Sequence, residues 1–348
     1  MARRPTMTDV ALRAGVSQAT VSLVLSGATK ARISGATRAR VRAAAEAVGY
    51  PRRPPLARAG TLRVVGMLID EVTSSPFAAP LIDGARDEAA ARGAVVTVVC
   101  TGRDEAAETA ALEALAGPGL AGVILATLLT RAARVPARAP GLPTVLLNCR
   151  EDAGPRRAAQ GLPSVIPDDR GAAREAVASL LRAGHRRVAH LHGEAWGEAA
   201  RDRARGWRQA LAEAGIAHDP ALLAGPTWTV GSGREAALRL LDLPDPPTAM
   251  FCFNDRVAIG AYEAAAMRGI GVPRDLSVMG FDNEDLVAHL LPPLSTVQLP
   301  HDEMARRAVA MLLDGEARPG RVVVECPLVP RASVAPPRGA ALGAARRA

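Results

Sequence analysis

The chain has 348 residues, 49% hydrophobic but only 3% aromatic, and a formal charge of +8. That length exceeds one ordinary domain, and the apolar share excludes a disordered chain while supplying a core built mainly from Ala, Val and Leu. No apolar run reaches the ~18 residues that a membrane span needs, and "MARRPTMTDV" holds no apolar signal region, so a cytoplasmic protein is expected.

The charge is unevenly spread. Residues 1–60 hold eleven Lys and Arg against Asp9 and Glu46, a net of +9, which leaves −1 for the rest of the chain. A small basic head on a neutral body points to a polyanionic partner for the head alone. Charge by itself does not separate DNA from RNA or anionic lipid.

In "TMTDVALRAGVSQATVSLVLSG", residues 6–27, Thr8 is placed to cap a helix over 9–14, with Asp9 near its positive end and Gly15 as its stop. Ser17 caps a second helix running to about Ser26, stopped by Gly27. Val21, Val24 and Leu25 form a stripe that packs on Val10, Ala11 and Ala14, leaving Gln18, Ala19, Ser22, Leu23 and Ser26 facing away. A third helix is expected from a Ser34 cap to about Val48, stopped by Gly49 and carrying Arg38, Arg40 and Arg42. Helix-Gly-helix is often plain packing. Inside a +9 segment it reads as a helix-turn-helix domain whose second helix enters the major groove.

The same stretch, followed by "ISGATRARVRAAAEAVGY", resembles the N-terminal domain of the lactose/galactose-repressor (LacI/GalR) family over residues 6–50, through D-V-A, A-G-V-S, T-V-S and the closing G-Y. The resemblance implies base contacts by Gln18, Ala19 and, one turn on, Leu23, in a DNA-contacting set completed by Thr8, Ser17, Thr20, Ser22, Lys30, Arg38 and Leu56. Gln can pair bidentately with adenine, whereas Ala and Leu reach only a thymine methyl. Many relatives have Arg where Leu23 stands, a departure that bears on specificity rather than on DNA binding.

Residues 51–61, "PRRPPLARAGT", read as an interdomain linker. The resemblance implies a hinge helix here with a Leu wedged into the minor groove. Pro54 and Pro55 fall inside that helix, where Pro is costly, and the wedge position falls on Ala59 or Gly60. Leu56 is the apolar candidate, so a weaker hinge and less operator kinking are expected.

From Thr61 the chain alternates β-branched runs with Ala-rich helices. Strands are expected at 62–69, 94–100, 121–127, 143–148, 186–192, 248–253 and 276–281, and helices at 79–92, 104–115, 171–183, 199–214, 231–242 and 255–268. This predicts a small all-α head, 1–50, joined through 51–61 to a two-lobed parallel α/β body, 62–334, with a small, basic, disordered tail at 335–348. The runs "FNDRVAIGAYEAAAMRGIGVPRDLSVMGFDN" and "LPPLSTV" extend the family resemblance to about Ser333. They imply an effector domain similar to periplasmic sugar-binding proteins, its chain crossing between lobes near 162, near 290 and again toward the C-terminus.

Ligands of open α/β sheets bind beyond the carboxyl ends of the strands, which draws attention to Asp70, Asn148, Asn254 with Asp255, and Asp282. No GxGxxG follows the first strand and no GxxxxGK[ST] occurs, so no nucleotide cofactor is expected. The resemblance carries effector contacts onto Arg203, Asn254, Asp282, Asn148 and Trp228, to which Asp70 is added. Arg, Asn and Asp bond hydroxyls in forks and an indole packs on a C–H face, a mixture suited to a sugar. Trp228 reads equally as platform or loop packing, Trp207 as core, and Asp255 as a helix cap beside Asn254. Asn148 stands where many relatives have Asp, and Ala126 where some have a polar group. Glycosides, monosaccharides, phosphosugars and a nucleobase ligand all stay open.

Other groupings are plainer. Cys100, Cys149, Cys252 and Cys326 lie apart in apolar runs and read as buried thiols. His190 and His192 share a strand face but lack a third metal ligand, and Asp168 with Asp169 reads as a cap for the helix at 171. No catalytic grouping is evident. The expectation is a homodimeric repressor, not an enzyme, reading a pseudo-palindromic operator under a sugar-like effector. Its rivals are a sugar-binding protein without a DNA role and a sugar-modifying enzyme.

Overall fold

A computed structural model describes residues 6–25, 33–48, 62–73, 77–117, 119–136, 142–152 and 161–338. The basic head contains α1 (Met7–Ala14), α2 (Gln18–Leu25) and α3 (Gly35–Ala47). They close around Val10, Ala11, Ala14, Val21, Val24, Val41, Ala44 and Ala45, with Leu25 only half-buried. The expected stops Gly27 and Gly49, the residues Ser26, Lys30 and Leu56, and the whole hinge at 51–61 lie outside the described residues.

Lobe 1 is a six-stranded parallel sheet built from β1 (Arg63–Ile69), β2 (Ala94–Cys100), β3 (Leu120–Ala133), β4 (Thr144–Glu151), β5 (Ser164–Pro167) and β11 (Arg321–Val324), in the order β11-β5-β4-β3-β1-β2. Val, Ile, Leu and Met on its strands pack against α4 (Ala78–Ala91) and α10 (His301–Leu313), while α5 (Glu105–Leu115) covers the other face around Leu68 and Val123. Lobe 2 is a four-stranded parallel sheet, β7 (Leu223–Ala224), β6 (Val188–Leu191), β8 (Ala249–Cys252) and β9 (Ser277–Met279) in that order. Its helices α6 (Asp169–Arg182), α7 (Glu198–Glu213), α8 (Val230–Leu241) and α9 (Asp255–Met267) enclose a core centred on Trp207, Phe251 and Phe281. Helices on both faces are what a parallel sheet of buried β-branched runs requires. An antiparallel pair, β10 (Thr296–Val297) with β12 (Leu328–Val329), completes the body.

The chain changes lobe after β5, before α10 and between β11 and β12. The first two crossings fall later than 162 and 290, because β5 still belongs to the lobe 1 sheet and Val287, Leu294 and Val297 still pack in lobe 2. Strand β3 outruns its expected end at 127: its register shifts between Ala126 and Arg131, where the Thr127 hydroxyl donates to the Asn148 carbonyl at 2.7 Å. Cys149, Cys252 and Cys326 are buried, but Cys100 is exposed, since β2 is an edge strand. No described helix is long and apolar enough to cross a membrane. Tail residues up to Arg338 are described, and the Ala335 carbonyl accepts from Ser277 Oγ at 3.0 Å, so the tail's first residues are ordered against lobe 2 rather than disordered.

Candidate functional site

Each helix of the head keeps an exposed face. Thr6, not Thr8, caps α1: its hydroxyl accepts from the Asp9 amide and the Asp9 carboxylate accepts from the Thr6 amide at 2.7 Å. This capping box starts the helix early and leaves Thr8 exposed in its first turn. Gly15 then turns the chain at φ 63°, a left-handed conformation that costs glycine little. Ser17 caps α2, accepting from the Thr20 amide at 3.1 Å. Because Val21 and Val24 are consumed by the core, Gln18, Ala19, Ser22 and Leu23 face outward, Leu23 at 42% exposure. Arg38 is half-buried on α3, its Nε donating to the Ile33 carbonyl, while Arg40 and Arg42 are exposed. Polar and small apolar side chains stand at the tip, with guanidinium groups on α3, a division suited to base edges and phosphates respectively.

The second feature is a cleft of 310 Å³ between the lobes. Lobe 1 contributes Glu71, Phe77, Arg103, Leu128, Leu129, Thr130 and Asn148; lobe 2 contributes Glu194, Trp196, Arg203, Trp228, Phe253, Asn254 and Asp282. Five of the six sequence-predicted effector residues therefore meet there. Asp70 does not. Along β1 successive side chains alternate faces, so Asp70 follows Leu68 into a neighbouring 160 Å³ cavity, while Glu71 reaches the cleft. Asp70 instead holds the β3 extension, accepting from the Leu128 amide at 3.1 Å and from Arg131 at 3.2 Å.

Arg203 is the electrostatic centre. Its Nε donates to Asp169 at 2.8 Å and Nη1 to the Phe253 carbonyl at 2.6 Å, while Nη1 lies 3.6 Å from Asp282. The guanidinium carbon sits 3.6 Å from the centre of the Phe281 ring and 4.8 Å from that of Phe253. Burial pushes the Asp169 and Asp282 carboxyls upward, and the Arg203 charge opposes that rise. Asp168 caps α6 as expected, accepting from the Gly171 amide at 2.9 Å. Asp169 is not a cap but the buried counter-ion of Arg203.

Asn254 both lines the cleft and caps α9: its Oδ1 accepts from the Val257 amide at 2.8 Å and its Nδ2 donates to the Trp228 carbonyl at 3.2 Å. Asp255 is therefore not the cap. It is the first helical residue, fully buried, accepting from Thr296 Oγ1 at 2.6 Å and from the Glu284 amide at 2.8 Å. Burial pushes its carboxyl up to about 7. Asn148 sits at φ 58°, fixed by Thr127 and Thr130. Trp228 serves both roles open to it, packing on Phe253 with ring centroids 5.5 Å apart and facing the cleft. Trp207 is core, donating to the Val188 carbonyl at 3.0 Å.

His190 is buried with its Nδ1 hydrogen-bonded to the Phe251 carbonyl, and desolvation pushes its imidazole down to about 3. Among the described residues no group of three or more His, Cys, Asp or Glu is placed to hold a metal ion. Phe77, Leu129, Asp169, Trp196 and Phe253 were not legible as site residues. Phe253 alone carried a signal, as the residue ending an expected strand directly before Asn254.

Comparison with known proteins decides the lineage. A family model for bacterial regulatory proteins of the lacI family matches residues 6–52, and one for a periplasmic binding protein-like domain matches residues 177–334. The HTH-type transcriptional repressor CytR of Escherichia coli K12 is 34% identical over 335 residues, covering 94% of this chain and 96% of CytR. The chain belongs to the LacI family. Among solved structures, the transcriptional regulator CelR in complex with cellobiose superposes with a TM-score of 0.66 at 30% identity, covering 95% of this chain and all of CelR. The lac repressor dimer bound to operator and the anti-inducer ONPF gives 0.67 at 28% identity, covering 96% of this chain and 100% of that one. This LacI-family chain is a DNA-binding transcriptional regulator: a helix-turn-helix head precedes a two-lobed α/β body with a cleft.

Proposed function

We propose that the chain is a homodimeric repressor whose α2 reads each half of a pseudo-palindromic operator and whose cleft takes a small carbohydrate-like effector. The observation that carries the effector reading is the cleft's two-sided chemistry. Trp228, Phe253 and Phe77 give flat apolar surface for a C–H face, while Asn148, Asn254, Asp282 and Arg203 add forked polar groups to the same lining. The cellobiose held by the related CelR supports that class. Residues 1–50 form the reading head, 51–61 the hinge, 62–334 the effector and dimerisation body, and 335–348 the tail. The cleft's acids serve binding and ion pairing rather than catalysis, and the chain acts in the cytoplasm.

Two reading heads on one two-fold axis match a symmetric operator. An effector that prefers one arrangement of the lobes by about 1–3 kcal/mol changes operator affinity roughly 5- to 150-fold, and operator DNA changes effector affinity reciprocally. A thermal-shift screen against neutral mono- and disaccharides, cellobiose included, tests this directly, because a ligand of the native state raises the melting temperature. A shift that changes when operator DNA is added supports the proposal. Shifts given only by nucleosides or by sugar phosphates would replace the effector class.

A further inference from the structure

Between β6 and α7 the chain passes through Glu194, Ala195, Trp196 and Gly197 to Glu198, the first residue of α7. This segment is fixed to lobe 2. The Gly197 amide donates to the Glu194 carbonyl at 3.1 Å, and Arg201 Nη1 on α7 donates to the carbonyls of Ala195 at 2.7 Å and Trp196 at 3.1 Å. Its three consecutive last residues each touch a different part of lobe 1. The Arg103 guanidinium, beyond β2, lies 5.6 Å from the centre of the Trp196 ring. Leu129 on β3 lies so close to Gly197 that a Cβ there would stand 2.7 Å from Leu129 Cδ2. Arg150 at the end of β4 makes a half-buried ion pair and hydrogen bond with Glu198.

We infer that Glu194–Glu198 is a strap that ties the two lobes together at the edge of the cleft, with Trp196 as a wall of the binding site. Three features of different chemistry coincide on it. A cation meets an aromatic face, a glycine allows close approach to a leucine buried with Ala199, Ala200 and Phe253, and an ion pair closes the end. Trp196 is 50% exposed even so, and it lines the cleft, which leaves part of its indole open to a ligand.

The strap biases the lobes toward closure through the chain's own contacts. An effector gains access by parting it, and the closed population sets how much affinity the effector must supply to shift the lobes. Trp196 also makes the site's specificity depend on lobe 2's approach to lobe 1, since its ring lines the cleft together with Arg103 and Leu129 of lobe 1.

The test is the distance between lobes in the full chain, with neither effector nor DNA present, so that its failure leaves the carbohydrate reading untouched. Spin labels at Glu113→Cys on α5 and Glu235→Cys on α8, both exposed, report the separation by pulsed electron resonance in a Cys100→Ser background, the other cysteines being buried. Two variants part the strap by different means: Arg150→Glu sets like charges against Glu198, and Gly197→Val wedges Leu129. Arg150→Ala replaces the reversal if that variant does not fold, as judged by circular dichroism. The expected result is one short distance in the parent and a shift to longer distances in both variants. A parent-like distribution in either folded variant overturns the strap.

Discussion

Arg203 on α7 donates to Asp169 at 2.8 Å where the chain has just crossed from lobe 1 into lobe 2, and the same guanidinium faces Asp282 at 3.6 Å. One cation thus serves two buried carboxylates drawn from distant parts of the sequence. Replacing Arg203 with Met removes the cation and leaves both acids in a dry site, at an expected cost of about 3–5 kcal/mol at neutral pH. Urea unfolding at pH 8 and pH 5 checks this, since the deficit shrinks at the lower pH as the carboxyls take up protons. Arg203→Lys restores charge but not the fork held between Phe253 and Phe281, and should regain only part of the stability.

Asp255 gives a pH dependence of defined sign. Burial raises its carboxyl from an ordinary value of 3.8 to about 7, so the folded chain holds a proton that the unfolded chain releases. Its contribution is complete below about pH 4 and is lost as pH rises through 7. Asp255→Asn cannot titrate. The stability of the parent relative to this variant should therefore fall between pH 4 and 8, and a constant difference would contradict the assignment.

Gly206 lets α7 lie against α6: a Cβ there would stand 2.4 Å from the Arg170 carbonyl oxygen and 2.8 Å from the Arg174 amide. Both are backbone atoms and cannot step aside. Gly206→Ala should destabilise lobe 2 by about 1–3 kcal/mol, despite the better helix propensity of Ala. Thermal melting measures the loss.

On α2, the proposed reading helix, Gln18 is exposed and polar and Leu23 is exposed and apolar. Gln18→Ala should lower affinity for the preferred operator by about 1–3 kcal/mol and relax the preference at one base pair per half-site. Leu23→Arg should move the preferred half-site toward guanine. Selection from random duplex DNA reads both, and unchanged preferences in Leu23→Arg would remove that residue from the base-reading set.

The fold was largely legible because local chemistry and global fold agree. "AVVTVVC" gives β2 at its expected bounds, and Ser34 caps α3 as read. Strands β7, β10 and β12 are two residues each, too short for any alternation to register, and their pairing depends on tertiary neighbours. Helix α10 was not among the expected helices, although Met304, Ala305, Ala308, Val309 and Leu312 carry an ordinary helical stripe. In the cleft, motif-bearing positions were readable, whereas Asp169 looked like half of a cap because its partner Arg203 lies 34 residues away. Trp196 carried no signal at all, since its role depends on Arg103 from the other lobe.

Titration of the full chain against a duplex selected from random DNA, repeated across a salt series, tests most directly that the basic head reads an operator. The account predicts enrichment of a two-fold symmetric site and an affinity that falls about 10³-fold or more between roughly 50 and 200 mM salt, as phosphate contacts release counterions. Failure to enrich any symmetric sequence, or an affinity indifferent to salt, would contradict it.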